Sequence, residues 1–305
     1  MEFFLQQTVN GLTLGSVYAL LALGYSMVYG ILKLLNFAHG EVYMFGAFAG
    51  YGMLTILGGS SALVVPVWLA LVLMFLAAIL ASSAIGVALE RFAYRPLRQS
   101  TRIAPLISAI GASFFLQAAA LLMFTANSRT FNTPQLIAID SGIPFGPIRV
   151  WMVRVLVIVT SFVLMVLLYL WVNRTKTGKA VRAVSFDREA AAMMGIDVDK
   201  VIVVVFLIGS ALAGIGGVMV GLVFGRIFHI MGFVAGLKAF TAAVLGGIGS
   251  IPGAMLGGLM IGLAEAFTTG YISSTFQNLI VFGLLIVVLL IRPSGLLGRP
   301  ELVKV

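Results

Sequence analysis

The chain has 305 residues, 61% hydrophobic and 10% charged, with a mean hydropathy of +1.14; a soluble domain is roughly 45–50% apolar and about 25% charged. Folding of a soluble chain this long buries only about 75% of its surface, so the apolar excess must face lipid. That excludes a water-soluble enzyme, a disordered tail and a disulfide scaffold. The net charge of +9 would suggest nucleic acid in a soluble chain. In a membrane chain it reads as the Lys and Arg excess of inner loops, so the bilayer is the expected partner and nucleic acid is not. No cysteine is present, which removes thiolate chemistry and Cys-based metal sites.

A helical crossing needs about 20 apolar residues. The N-terminal MEFFLQQTVNGLTLGS has no basic n-region and lacks the layout of a secretory leader, so the first apolar stretch, 9–31, is expected to remain as a span. A glycine-broken apolar segment follows at 37–57, then a span at 63–88. Residues 90–102 carry Arg91, Arg95, Arg98 and Arg102, and a further span is predicted over 103–125. The 126–150 loop holds Pro134, Pro144 and Pro147 but only Arg129, Asp140 and Arg149, and is expected on the outer side. A span at 151–172 leads into the polar stretch 173–200, with Arg174, Lys176, Lys179, Arg182, Arg188 and Lys200. After the span at 201–223 comes a long broken segment, 233–270, enough for two passes or for a re-entrant piece plus one pass. A last span, 276–291, precedes a tail with Arg292, Arg299 and Lys304.

Three of these segments thus hold 13 of the 19 Lys and Arg residues, which assigns them to the cytoplasm. Nine crossings with the N-terminus outside satisfy that. Eight crossings with the N-terminus inside also do, if one broken segment before residue 90 is re-entrant. The expected fold is an all-α polytopic membrane protein of about 8–9 transmembrane helices, with glycine- and proline-broken segments, forming one transmembrane domain over 1–305. Small residues recur at every fourth position, as in Gly217, Gly221 and Gly225, Gly253 and Gly257, Gly258 and Gly262, and Gly46 and Gly50. In lipid such seams let backbones approach closely, and with the broken segments they describe a transporter-like core.

Within 173–200, Phe186, Ala190, Ala191, Met193 and Met194 predict a short amphipathic helix over 186–194. Ser185 or Asp187 could cap its start, and Gly195 suits the left-handed position after its end. So short a helix is marginal alone and needs something packed on its apolar face. Ionisable residues within apolar segments are costly and few: Lys33, His39, Glu41, Arg226, His229, Lys238 and Glu265. Lys33 and Arg226 lie near predicted span ends and can snorkel. His39 has no second ligand at metal spacing, so no metal site is expected. Glu41, Lys238 and Glu265 sit in the two broken segments, either as a buried ion pair or as polar points along a transport path.

Several motifs carry a resemblance. Glu189-Ala190-Ala191 and then Gly195 resemble the EAA loop of ATP-binding-cassette (ABC) importer permeases, although the Leu-Pro that closes it in other importer families is absent. Thr177-Gly178, Arg182-Ala183 and Gly195-Ile196 resemble the version in branched-chain amino acid permeases. Asn36-Phe37-Ala38-His39-Gly40-Glu41, the glycine-rich run from Phe240 to Gly253, Arg292-Pro293-Ser294-Gly295 and the first span with Gly11, Gly15 and Tyr18 are similar to the same family. The resemblance covers nearly the whole chain and is to permease subunits of the high-affinity leucine/isoleucine/valine type.

The resemblance implies an ABC-importer permease fold in a bacterial inner membrane, with a cytoplasmic C-terminus. It implies a second related permease, two cytoplasmic ATPase subunits and a periplasmic amino-acid-binding protein as partners. ATP and Mg would be bound by the ATPases, with no cofactor and no catalytic residue in this chain. In keeping with that, Gly178-Lys179 is followed by Ala180, and no GxxxxGK[ST] phosphate loop occurs. Thr177, Gly178, Arg182, Ala183, Asp187, Glu189, Ala190, Ala191, Gly195 and Ile196 are the expected ATPase-coupling residues. Asn36, His39, Glu41, Lys238, Glu265, Gly246, Gly247, Gly249 and Pro252 are the candidates for the translocation path. An ABC permease for urea or short amides, or a stand-alone secondary transporter or channel, is the alternative.

Overall fold

The computed structural model describes residues 1–59, 63–98, 100–101, 103–131, 136 and 142–298. Arg102, Pro134, Asp140, Arg299 and Lys304 of the sequence reading lie outside the described residues. The elements in order are α1 (Glu2–Leu32), α2 (His39–Ile56), α3 (Val67–Leu89), α4 (Ile103–Phe124), β1 (Arg129–Thr130), β2 (Gly142–Phe145), β3 (Ile148–Trp151), α5 (Met152–Arg174), α6 (Lys176–Phe186), α7 (Arg188–Met193), α8 (Val198–Phe224), β4 (Arg226–Ile227), α9 (Met231–Gly246), α10 (Ile251–Tyr271) and α11 (Gln277–Ile291). A π turn, Glu90–Tyr94, and a 3-10 turn, Arg95–Leu97, extend α3.

Seven helices are long and apolar enough to cross a membrane and α9 is a shorter apolar helix; with α2 the described chain traverses the bundle nine times. Their direction follows from contacts at the two ends. At one end Arg188 bonds the carbonyl of Ile31, close to the C-terminus of α1. At the other, Arg154 at the start of α5 bonds Asn10 near the N-terminus of α1. At that same far end β1 pairs antiparallel with β4, Arg129 opposite Ile227. The amides of Leu296 and Leu297 donate to Leu245 and Gly246 at 2.9 Å each, holding the tail beside the turn between α9 and α10. The described parts of the three basic segments therefore share one end, and the N-terminus lies at the opposite one. This corresponds to the nine-crossing arrangement.

Two glycine seams make the centre. A Cβ on Gly11 would stand 2.8 Å from Leu263 Cα, and one on Gly15 2.8 Å from Leu259 Cα, so α1 and α10 pack backbone to backbone. On the other side Gly46 of α2 meets Gly214 of α8, and Gly217 of α8 meets Tyr43. Without water to drive association, such approach maximises dispersion contact. The outer helices touch this core by single stripes. Helix α3 buries Ala70, Met74, Ala78, Ser82 and Gly86, a spacing of four that lines one face, while its Trp68, Leu76 and Leu80 are exposed and suit lipid.

The segment 233–270 resolves into two passes. Gly247 (φ 105°) and Gly249 (φ 88°) make the turn between them, in backbone conformations that side chains rarely tolerate. Ser250 then caps α10, with Pro252 in its first turn. The short helix expected over 186–194 is found as α7, but the whole of α6 precedes it unpredicted. Helix α1 also begins earlier than expected, at Glu2.

Candidate functional site

Helices α2 and α9 begin inside the bundle. The His39 ring packs edge-on to Tyr25, 4.8 Å between centroids, well before the end of α1, and lies against Gly24, which in turn faces Gly209 in the middle of α8. Gly40 touches Gly232 backbone to backbone, and a Cβ on Gly40 would stand 2.9 Å from Gly236 Cα. From this junction α2 runs to the far end and α9 to the basic end. The N-terminal ends of both helices therefore meet at mid-depth, where their aligned backbone dipoles concentrate partial positive charge.

Glu41 is the acid placed at that charge, fully buried in the first turn of α2. Its Oε1 accepts hydrogen bonds from Gln117 Nε2 at 2.8 Å and Ser113 Oγ at 3.2 Å, both on α4. Its Oε2 has no hydrogen-bond partner among the described residues and would meet a Cβ on Gly232 at 2.6 Å. The buried His39 Nε2 likewise has no partner there. Asn36, just before α2, accepts a hydrogen bond on Oδ1 from Tyr94 Oη at 2.8 Å. It lines a small cleft with Tyr25, Tyr29, Leu34, Phe240 and Ile248.

Lys238 and Glu265 stand apart from Glu41. Lys238 Nζ is 2.7 Å from Glu265 Oε1, and Tyr18 Oη donates to Glu265 Oε2 at 3.0 Å. This pair joins α9 to α10 and α1. Gly246, Gly247, Gly249 and Pro252 lie at the basic end, where Gly249 N donates to Ser26 Oγ at 2.9 Å. The residues expected along one path are thus distributed over the junction, the α1–α9–α10 pair and the α9–α10 turn.

The second candidate region is the segment between α5 and α8. Gly178 is buried so tightly against the Trp171 and Val172 carbonyls that a Cβ would collide, which folds α6 back on the end of α5. Thr177 is exposed, and Arg182 reaches Asn173 Oδ1 at 2.9 Å, with Ala183 partly buried beside it. Asp187 caps α7, its Oδ1 accepting from Glu189 N and Ala190 N at 3.0 Å each; the Ser185 hydroxyl instead donates to Arg182 O. Gly195, at φ 82°, closes the helix with bonds from its own N–H to Ala192 O and from Ile196 N–H to Ala191 O, the paired arrangement of a left-handed C-terminal cap. Ala191 faces inward, Glu189 and Ala190 outward. Phe186, Met193 and Met194 are 95%, 83% and 83% exposed.

Arg188 anchors this segment on α1, with Nε 2.9 Å from Ile31 O. Burial, and secondarily the nearby Arg98 charge, hold its guanidinium below the usual arginine range. Asp197 caps α8 by accepting from Lys200 N at 3.1 Å. That bond, with the Lys200 ammonium beside it, keeps the Asp197 carboxyl below its ordinary range. Sequence reasoning missed Ser113, Gln117 and Tyr94, and took Arg95 and Arg98 only as topological charge. Both arginines bond Asp199 at 2.5 Å. Pro96 was the available signal, because a proline amid helix removes a donor and disturbs the ladder.

The family whose profile matches residues 7–290 is described as the branched-chain amino acid transport system / permease component. The chain is 47% identical over 99% of its length to the high-affinity branched-chain amino acid transport system permease protein BraD of Pseudomonas aeruginosa, covering 98% of that protein. It is 46% identical to LivH of Escherichia coli K12, a permease protein of the same description, with 99% and 98% covered. A probable branched-chain amino acid transport permease protein of Methanocaldococcus jannaschii is 27% identical over 93% of this chain and 89% of its own. With the match spanning the bundle from α1 to α11, this chain belongs to the branched-chain amino acid transport permease family.

Proposed function

We propose that this chain is the membrane-spanning permease subunit of an ABC importer for branched-chain, aliphatic amino acids. The observation that carries the reading is α7 and its flanks: a capped helix at the basic end, with Phe186 before it and Met193 and Met194 at its close all exposed, although nothing in lipid would account for them beside so many charges. A cytoplasmic ATPase is the partner that an exposed apolar helix of this kind fits, and the identity to the BraD and LivH permeases supports it. In this reading the chain acts as one domain in a bacterial inner membrane, its basic end and C-terminus in the cytoplasm. A second permease, two ATPases and a periplasmic amino-acid-binding protein complete the transporter. ATP and Mg bind the ATPases, and this chain hydrolyses nothing.

The path runs by the α2–α9 junction. Leucine-like substrates are zwitterions on an aliphatic stem; helix N-termini suit the carboxylate, Glu41 the ammonium, and the apolar walls the side chain. Thr177, Gly178, Arg182, Ala183, Asp187, Glu189, Ala190, Ala191, Gly195 and Ile196 build the docking segment. Asn36, His39 and Glu41 stand at the junction, while Lys238, Glu265, Gly246, Gly247, Gly249 and Pro252 hold the neighbouring helices in register. The test is co-purification of ATPase subunits with the chain in detergent, together with ATP-dependent leucine uptake in proteoliposomes of the assembled complex. Failure of any ATPase to co-purify, with uptake persisting without ATP, would replace this reading with a stand-alone transporter.

A further inference from the structure

The first turn of α8, directly after the docking segment, is tied to the junction by a series of side-chain bonds that ends on one backbone bond. Asp199, in the first turn of α8, accepts from Arg95 Nη2 and Arg98 Nη1 at 2.5 Å each. Arg98 also bonds the buried carboxylate of Glu90. Between these anchors the helix widens: Pro96 has no N–H to give, and Arg95 N–H reaches back to Glu90 O, five residues away, in a π turn. Ser108 of α4 donates to the Ala93 carbonyl of this turn at 2.8 Å. The turn presents Tyr94 inward, fully buried, its ring 5.5 Å from Phe206 of α8 and its hydroxyl on Asn36. Asn36 O in turn accepts His39 N–H at 3.0 Å, the bond that opens the first turn of α2, with Glu41 next along it.

We infer that Tyr94 is a positioning residue that transmits displacement of the docking segment, through Asp199, Arg95, Arg98 and the π turn, to Asn36 and the start of α2. The inference rests on the transport reading above and adds to it the connection between docking and path. A π turn in a helix is a place where a register can shift by one hydrogen bond, and the ion pairs fix its outer end to α8. Movement of α8 relative to α3 must therefore move either the Tyr94 hydroxyl or the Arg–Asp199 bonds. Asn36 lines the cleft, so either event alters its mouth.

The experiment uses the complete transporter, with ATPases and binding protein, in proteoliposomes, and measures leucine taken up per ATP hydrolysed. Tyr94→Phe keeps the ring and deletes one hydroxyl. The expected result is co-purifying ATPases and hydrolysis at the wild-type level, with uptake per ATP lowered about two- to tenfold. Asp199→Asn, altering a half-exposed residue, should lower the same ratio, and the double variant should be no worse than the poorer single one. Arg98→Lys, which keeps charge at Glu90, should stay nearer wild type than Arg98→Ala. An unchanged ratio in Tyr94→Phe, or additive losses in the double variant, overturns the inference. If Tyr94→Phe does not assemble, the ratio in Asp199→Asn decides alone. Wild-type protein that binds no ATPase refutes the transport reading instead.

Discussion

A buried ion is costly to strand, and Lys238 with Glu265 shows how this protein avoids it: the ammonium, the carboxylate and the Tyr18 hydroxyl meet at 2.7 and 3.0 Å. Deleting one partner of such a pair leaves the other charge uncompensated, at a cost of about 3–5 kcal/mol. Lys238→Met should therefore lower the melting temperature of the detergent-solubilised protein sharply. Lys238→Met combined with Glu265→Gln should recover much of that loss, because neither charge then remains. Gly195 is a residue of the opposite kind. Nothing stands within 4 Å of where its Cβ would lie, but φ is 82°. Gly195→Ala should thus cost about 1–2 kcal/mol from backbone conformation alone. That strain falls on α7, so reduced ATPase co-purification at unchanged membrane level is the expected readout.

At the scale of elements, α7 has six residues, too few to persist by propensity. Its shape comes from the Asp187 cap, the Gly195 closure and the Arg188 anchor on α1. Replacing Phe186, Met193 and Met194 together by Ser removes apolar surface without touching those three. Co-purified ATPase should fall at least about tenfold, a loss on the order of 1.4 kcal/mol, while the level of the chain in the membrane holds. The start of α8 is pH-sensitive in one direction. The Asp197 carboxyl is held below its ordinary range by the Lys200 amide, so the cap's contribution is complete above that range. It is lost as pH falls through the lowered folded value. Acid titration of the melting temperature should show that loss in the wild type and not in Asp197→Asn. The short helix with its closing glycine was legible in the sequence, and its cap was narrowed to Ser185 or Asp187, because capping is local chemistry. Helix α6 was not, since the burial of Gly178 against the carbonyls of Trp171 and Val172, and of Val181 and Val184, holds it in place.

At the scale of the molecule, nine passes place the N-terminus and the basic segments at opposite ends. The natural absence of cysteine makes this directly testable. In intact spheroplasts a single cysteine at Glu2 should react with a membrane-impermeant maleimide, and one at Met194 should react only after permeabilisation. The reverse pattern would invert the topology. The central junction makes a second demand on the whole bundle. Gly40 and Gly232 leave no space for a Cβ between them, so Gly40→Val should separate α2 from α9. Loss of uptake should come with a lowered melting temperature, in contrast to the triple serine variant at Phe186, Met193 and Met194, which spares the membrane-embedded core.

Composition, charge placement and local motifs determined the polytopic helical class, the shared end of the basic segments, and the closure of α7, with its cap narrowed to Ser185 or Asp187. Each depends on transfer of side chains between water and lipid, or on neighbours a few residues apart. Which buried charges meet was decided only in the tertiary structure. Glu41 and Lys238 lie in corresponding broken segments, but Glu41 bonds α4, and Lys238 finds Glu265 on the next pass. The meeting of two helix N-termini at mid-depth, and the link from Asp199 through Tyr94 to Asn36, join residues distant along the chain. Their positions follow from how closely glycine seams let the helices approach, a property of pairs of surfaces that no single segment contains.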